Sequence, residues 1–188
     1  YRKLGIENVE DDSFRAAKVI IDKRIKVISS EGVEYELTDP HVEIVLPSMG
    51  RYGTEMVAAI LRSIGINGKA LPVAEKNVLL EGRKNTSCKE CLPYILTTGS
   101  FLEYIKRKKD PDTVTLFFLP TGGGPCRLGQ YCVALEHLIE KRKIPNAAVF
   151  TLTDENGYGG LGARILLKAW LGVIISDVFS DIKSTLKV

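Results

Sequence analysis

Hydrophobic and polar positions follow two different rhythms along this chain, and the change falls near residue 40. Before it, Asp11 to Arg24 carries Phe14, Ala17, Val19, Ile20 and Ile21 at near-helical spacing, which predicts a helix. Arg24 to Leu37 then predicts a β-hairpin. Ile25, Val27 and Ile28 precede a Ser30-Glu31-Gly32 turn, and Val33, Tyr35 and Leu37 alternate with Glu34 and Glu36 after it. Asp39-Pro40 closes this unit.

From His41 the rhythm becomes strand, loop, helix. The apolar run Val42–Leu46 predicts a buried strand, Pro47–Gly50 a turn, and Tyr52–Ile64 a helix with Met56, Val57, Ile60, Leu61 and Ile64 on one face. Gly65 supplies its stop. Lys69–Val73 predicts a second strand and Glu75–Glu81 a short helix. Thr86–Lys108 holds a cysteine pair and another helix, and Val114–Leu119 is a third strand. A glycine-rich loop leads into a helix over Cys126–Lys143. Ala147–Leu152 is a fourth strand, Gly157–Gly162 a loop and Ala163–Phe179 a last helix. Strands alternating with helices at this spacing predict an α/β fold, a Rossmann-like parallel sheet with helices on both faces. The pattern places that domain at residues 41–188 and a small helix-hairpin appendage at 1–40. Right-handed crossovers put the strand-to-helix loops at Pro47–Gly50, Pro120–Cys126 and Asp154–Gly162 on one edge of the sheet, where open α/β sheets bind ligands.

Composition narrows the function classes. A chain of 188 residues, 45% hydrophobic and 26% charged, is long and apolar enough to build a core. A net charge of +3 is too balanced for a nucleic-acid or anionic-membrane binder. The basic run Lys106–Lys109 closes a predicted helix and reads as a solvated helix end. The longest apolar stretch, Ile165–Phe179, is broken by Lys168, Ser176 and Asp177, and no leader segment opens the chain. The chain starts at Tyr1, and the expectation is a cytoplasmic domain of a longer protein.

The candidate chemistry lies in the cysteines. All four, Cys88, Cys91, Cys126 and Cys132, fall in the middle of the chain as two pairs. Ser87-x-x-Glu90 fits a capping box, which would set Cys88 and Cys91 in the first turn of a helix; Pro93 would also allow a start near Leu92. Either start favours thiolate, the form that binds metal or attacks a disulfide. Gly122, Gly123 and Gly124 let the backbone approach a bulky group before Cys126, which sits at a second helix start beside Arg127. Cys132 lies almost two turns later on another face and reads as an ordinary core thiol. Three chemistries fit such thiols: an iron–sulfur cluster, a four-cysteine zinc site, or a C-x-x-C redox pair. Five residues between the second pair weaken zinc, and the redox pair leaves Cys126 unexplained. Gly157-x-Gly159-x-x-Gly162 matches a dinucleotide fingerprint in letters, but the acid-bearing strand that reads the ribose is missing, so a close-packed turn competes with a phosphate site. His41 and His137 have no catalytic partner in the sequence and read as structural.

One longer pattern ties these pieces together. It runs Gly82-Arg83-x-x-x-Ser87-x-Lys89-Glu90-Cys91-x-Pro93, then Thr97-Thr98-Gly99 and Phe118-x-Pro120. Gly124-Pro125-Cys126-Arg127-x-Gly129-Gln130-Tyr131 and Asn156-x-Tyr158-Gly159-Gly160-Leu161-Gly162 complete it. Over roughly His41 to Ile165 the chain resembles the C-terminal region of the large CoA-substrate-specific enzyme activases. These are relatives of the 2-hydroxyglutaryl-CoA dehydratase system of anaerobes. The resemblance implies a Rossmann-like, dehydratase-like portion of a protein whose ATPase domains lie elsewhere. Such activators use ATP and a 4Fe–4S cluster to push an electron to a dehydratase. By position, Cys91 and Cys126 would be cluster ligands, with Cys88 next and Cys132 last; the latter two stand where the family pattern has other residue types. Lys89 and Arg127 would offset cluster charge, and Gln130 or Tyr131 would hydrogen-bond sulfur. Gly123, Gly124, Gly159 and Gly162 would give a cofactor close approach. The expected partners are acyl-CoA dehydratase subunits, other domains of the same polypeptide or a second copy. No complete active site is expected in this segment. A cofactor-free docking module, and an acyl-CoA or nucleotide phosphate site at Gly157–Gly162, stand as alternatives.

Overall fold

A computed structural model describes residues 14–22, 25–87, 89–121, 125–152 and 163–186. Four parallel strands form the main sheet: β4 (Val42–Leu46), β5 (Gly68–Ala70), β6 (Val114–Phe118) and β7 (Ala147–Phe150), in the order β5-β4-β6-β7. They follow a smaller antiparallel sheet of β1 (Lys18–Ile21), β2 (Ile25–Ile28) and β3 (Glu34–Glu36). The helices are α1 (Arg51–Ser63), α2 (Lys76–Asn85), α3 (Leu92–Arg107), α4 (Tyr131–Lys141) and α5 (Ala163–Thr185). The fold is α/β and Rossmann-like, with helices on both faces of the parallel sheet.

The small sheet corrects one expectation. Lys18–Ile21 is a strand rather than part of a helix, with Val19 paired to Val27. Three consecutive β-branched residues, Val19-Ile20-Ile21, lose rotamer freedom in a helix and pack well on a pleated sheet. The remainder of that expected helix, 11–13 and 23–24, lies outside the described residues. The hairpin forms as the alternation predicts, with Gly32 at φ +87° in its turn. The reciprocal hydrogen bonds Ser30 N–H to Asn146 Oδ1 (3.1 Å) and Asn146 N–H to Ser30 Oγ (2.9 Å) latch it to the start of β7.

Strands β4, β6 and β7 are buried on both faces, as their largely apolar runs require. Val42, Ile44, Leu46, Val114, Leu116 and Phe150 face α1 and the small sheet, sharing a core with Ala58, Leu61, Val27 and Leu37. Val45, Phe117, Leu119 and Val149 face the other way, onto Phe101 and Leu102 of α3 and Leu135 and Ile139 of α4. Helix α1 ends as Gly65 predicts: Gly65 N–H bonds Arg62 O, Ile66 N–H bonds Leu61 O, and Gly65 has φ +83°. The open edge of β5 is blunted. Gly68 spends its carbonyl on Arg62 Nη1 (2.7 Å) and its N–H on Ile66 O, and Pro72 has no N–H to offer.

Two features fix α3. The first is a close crossing with α2, where a Cβ on Gly82 would lie 1.9 Å from Ile95 O and one on Gly99 2.0 Å from Val78 O. Only glycine fits at either position. Glu81 and Lys106 add an ion pair across the same crossing at 2.7 Å. The second is a carboxylate on β4. Glu43 is buried and accepts from Tyr104 OH (2.7 Å) on α3, Thr115 Oγ1 (2.8 Å) on β6 and Lys69 Nζ (2.6 Å) on β5. Burial alone would push this carboxyl up; the Lys69, Tyr104 and Thr115 hydrogen bonds outweigh it and hold Glu43 below its ordinary value.

Two outcomes follow for stability. Gly99→Ala should lower the unfolding free energy by about 1–3 kcal/mol in urea melts, because the new methyl meets backbone. Gly53→Ala, whose Cβ meets only Ser176 Oγ at 3.3 Å, should cost less. The stability carried by Glu43 is present above its unfolded pKa and is lost as pH falls through the lowered folded value. Glu43→Gln should therefore flatten the acid side of the stability–pH curve, read as melting temperature against pH.

Candidate functional site

The chain leaves β4 toward β5 on one side and returns past β4 to β6 and β7 on the other. The strand order therefore reverses between β4 and β6, and a crevice opens there beyond the carboxyl ends of the strands. Helix α4 starts at this edge because it follows β6. Helix α3 starts there too, because it must run back to the opposite edge to feed β6.

Cys91 is the residue before α3, with extended backbone (φ −72°, ψ 149°) and Pro93 within the first turn. The helix thus begins at Leu92, the later of the two predicted starts. Ser87 and Glu90 do bond each other, Ser87 Oγ to Glu90 Oε1 at 3.2 Å, but they shape a turn ahead of the helix instead of capping it. Cys126 stands in the same position ahead of a 3-10 turn, Arg127–Gln130, that leads into α4. The expected helix over 126–143 thus opens as a tighter turn, and its α-helical part is Tyr131–Lys141.

Tyr131, the first residue of α4 after the Cys126 turn, meets the Cys91 thiol. Its hydroxyl lies 2.7 Å from Cys91 Sγ, and its ring packs on Tyr94 with centroids 4.9 Å apart. Both rings are buried. The Tyr131 hydroxyl holds the Cys91 thiol below its usual range. Burial opposes this, while the Tyr94 N–H, short of full hydrogen-bond geometry, and the Arg127 guanidinium pull the same way. Tyr131 itself is pushed up, first by burial and then by its bond to Cys91 and the charges of Cys91, Cys126 and Glu90. The contact between the phenol and the sulfur thus favours the anionic form of the Cys91 thiol. Arg127 also reaches the Lys89 carbonyl at 3.4 Å, which ties the Cys126 turn to the Cys91 turn.

An open cavity of about 560 Å³ lies over this junction, lined by Cys126, Arg127, Gln130, Tyr131, Tyr94 and His137 among others. His137, read from the sequence as a structural residue on this helix, stands on α4 among the lining residues. Its signal was the helical spacing of Gln130, Val133, Ala134 and His137 on one face of α4. His41 behaves as expected: it stacks on Tyr35 and bonds Asp39 Oδ1 at 2.9 Å, away from the thiols. Tyr131 fulfils the sulfur hydrogen bond expected of Gln130 or Tyr131.

The remaining candidates divide simply. Cys132 is half-buried and turned back onto its own helix start, donating to Gly129 O at 3.4 Å. Among the described residues no three His, Cys, Asp or Glu side chains converge on a common metal position. Cys88, Gly123, Gly124, Gly159 and Gly162 lie outside the described residues, as does the whole Gly157–Gly162 loop. A second cavity of about 670 Å³ runs beside β5, but its cations are engaged: Lys69 with Glu43, Arg107 with Glu103 at 3.2 Å, Arg62 with Gly68 O. No helix among the described residues is long and apolar enough to cross a membrane. Comparison with protein-family models, curated proteins and solved structures finds no match to this chain.

Removing the phenol tests the junction. Tyr131→Phe should raise the Cys91 pKa and slow its alkylation at neutral pH, with the rate–pH profile displaced to higher pH and peptide mapping locating the label on Cys91. An unmoved profile would mean that the hydroxyl does not hold the thiolate.

Proposed function

We propose that this domain binds an iron–sulfur cluster and serves electron transfer in an acyl-CoA dehydratase activase, with Cys91 and Cys126 as ligands. The observation that carries the reading is that two thiols far apart in sequence stand ahead of α3 and of the turn into α4 at the switch-point edge, with Tyr131 bonded to Cys91 and Arg127 tying the two turns together. Two helix starts favour anionic sulfur, and Arg127 adds a fixed positive charge.

The donor set fits a cluster in kind. The sulfurs of Cys91 and Cys126 are unpaired, Cys91 is biased toward thiolate, and a hydrogen-bond donor reaches its sulfur, which is the usual way of tuning cluster potential. In number, the described residues supply two ligands at this junction. Cys88, three residues before Cys91, is the next candidate, and Cys132, facing Gly129, is the last. A bound cluster would supply one-electron chemistry. The chain's own groups would bind it, neutralise it through Arg127 and Lys89, and cover one sulfur with the Tyr94–Tyr131 pair. The partners this reading implies are dehydratase subunits or further domains of the same polypeptide, in the cytoplasm.

Iron and acid-labile sulfide per chain, measured after strictly anaerobic purification and reconstitution, test the reading. The expected result is near-cluster stoichiometry with visible absorption bleached by dithionite, lost in the Cys91→Ala, Cys126→Ala chain and kept in Cys132→Ala. Iron content that is absent, or indifferent to Cys91 and Cys126, would sink the cluster assignment.

A further inference from the structure

Helix α5 is apolar nearly all round, yet it has a partner on one side only. It rests on α1 through Gly172 and Ser176, where a Cβ on Gly172 would meet Met56 and Ile60 at 3.4 Å. Its solvent side carries Leu167, Leu171, Ile174 and Val178, spaced as one helical ridge, each about half exposed. Trp170 beside them is 67% exposed. Nine large apolar side chains of α5 stand in solvent, whereas such residues elsewhere on the described surface are scattered singly. A contiguous patch of this kind is an interaction surface, not the ordinary apolar fraction of a monomer.

We infer that α5 pairs with α5 of a second copy of this chain, antiparallel, about a two-fold axis near Gly172–Val173. Three observations select that occupant. The ridge and its neighbours put nine large apolar side chains of one helix in solvent, the kind of apolar centre that an interface of about 800 Å² per partner is built around. A groove of about 680 Å³ runs alongside the ridge, between Tyr52 and Met56 of α1 and Phe179 and Ile182 of α5. Ridge and groove on one face are what a self-complementary, two-fold interface needs, because each copy offers both. The charges set the direction. Arg164 and Lys168 make the first half of α5 basic, and Asp177 and Asp181 make the second half acidic. Lys183 is turned to α1, over the Tyr52 ring at 5.8 Å. Antiparallel pairing lays basic half along acidic half, and the positions mirror each other: 164 with 181, 168 with 177. Parallel pairing would lay like charges side by side. The product is a four-helix layer, α1 and α5 from each copy. The same five charges argue against burial of this helix in a bilayer.

Trp170 is the sole tryptophan of the chain and lies on the patch, so it reports the contact directly. Sedimentation of the full chain over a concentration series should show a monomer–dimer equilibrium, with Trp170 emission shifting to the blue as the dimer forms. Ile174→Glu, with unchanged far-ultraviolet circular dichroism, should leave a monomer at every concentration, with red, concentration-independent emission. Ile174→Cys, near the centre of the helix, should cross-link to its own counterpart under mild oxidation, with Leu167→Cys failing to do so; mass spectrometry of the linked peptides reads both. A parent chain that stays monomeric would overturn the proposal, as would a dimer indifferent to Ile174→Glu. Co-sedimentation with lipid vesicles without self-association would do the same, and cross-linking through Leu167→Cys would overturn the antiparallel arrangement.

Discussion

Helix α3 can take its place only because two glycines let α2 come within backbone contact of it. Gly82 and Gly99 face opposite backbones at distances that leave no room for a methyl group. Once α3 is seated there, Phe101 meets Phe117 with centroids 5.2 Å apart, Tyr104 reaches Glu43, and the start of the helix arrives at the strand-end edge with Cys91 half-buried ahead of it. Displace that crossing and the aromatic contact, the buried carboxylate's partners and the thiol's position all change together. The site is therefore an outcome of core packing and not of the local loop that carries the cysteines.

The two ends of α3 divide the work of the sheet. At the amino edge of the strands, Glu43 gathers hydroxyls and an ammonium from three elements, and its surroundings are fully committed to holding it ionised. At the carboxyl edge, the Tyr94–Tyr131 pair and Cys126 border an open cavity, with the half-buried Cys91 bonded to Tyr131. The first end spends polar groups on fixing strand positions. The second keeps polar groups unspent, which is where binding chemistry belongs in this topology.

Much of this was legible in the residues. Val42–Leu46, Val114–Phe118 and Ala147–Phe150 are apolar except for Glu43 and Thr115, and such runs between helical segments have few other interpretations. Gly65 announced the end of α1, and the parallel order put the Cys126 loop at the strand-end edge; that Cys91 joins it there follows from the run of α3 back to β6. The first strand was missed because Phe14, Ala17 and Val19–Ile21 satisfy a helical spacing as well as a strand's, and only the β-branched run separates the two. The role of Gly82 and Gly99 was hidden for a different reason. A glycine inside a helix shows its purpose only when the neighbouring helix is known. His137 was hidden likewise, since its relevance depends on how far α4 rotates Gln130 and its helical neighbours toward Cys126.

The latch between Ser30 and Asn146 spans 116 positions of sequence. The small sheet is made before the parallel sheet, yet its hydrogen-bonded anchor there does not exist until the β7 segment has been made. Loop-closure entropy and contact order make such an attachment a late event. During synthesis β1 to β3 wait for the parallel sheet to assemble behind them, so strands made early in this domain gain their anchor on it only near the domain's end.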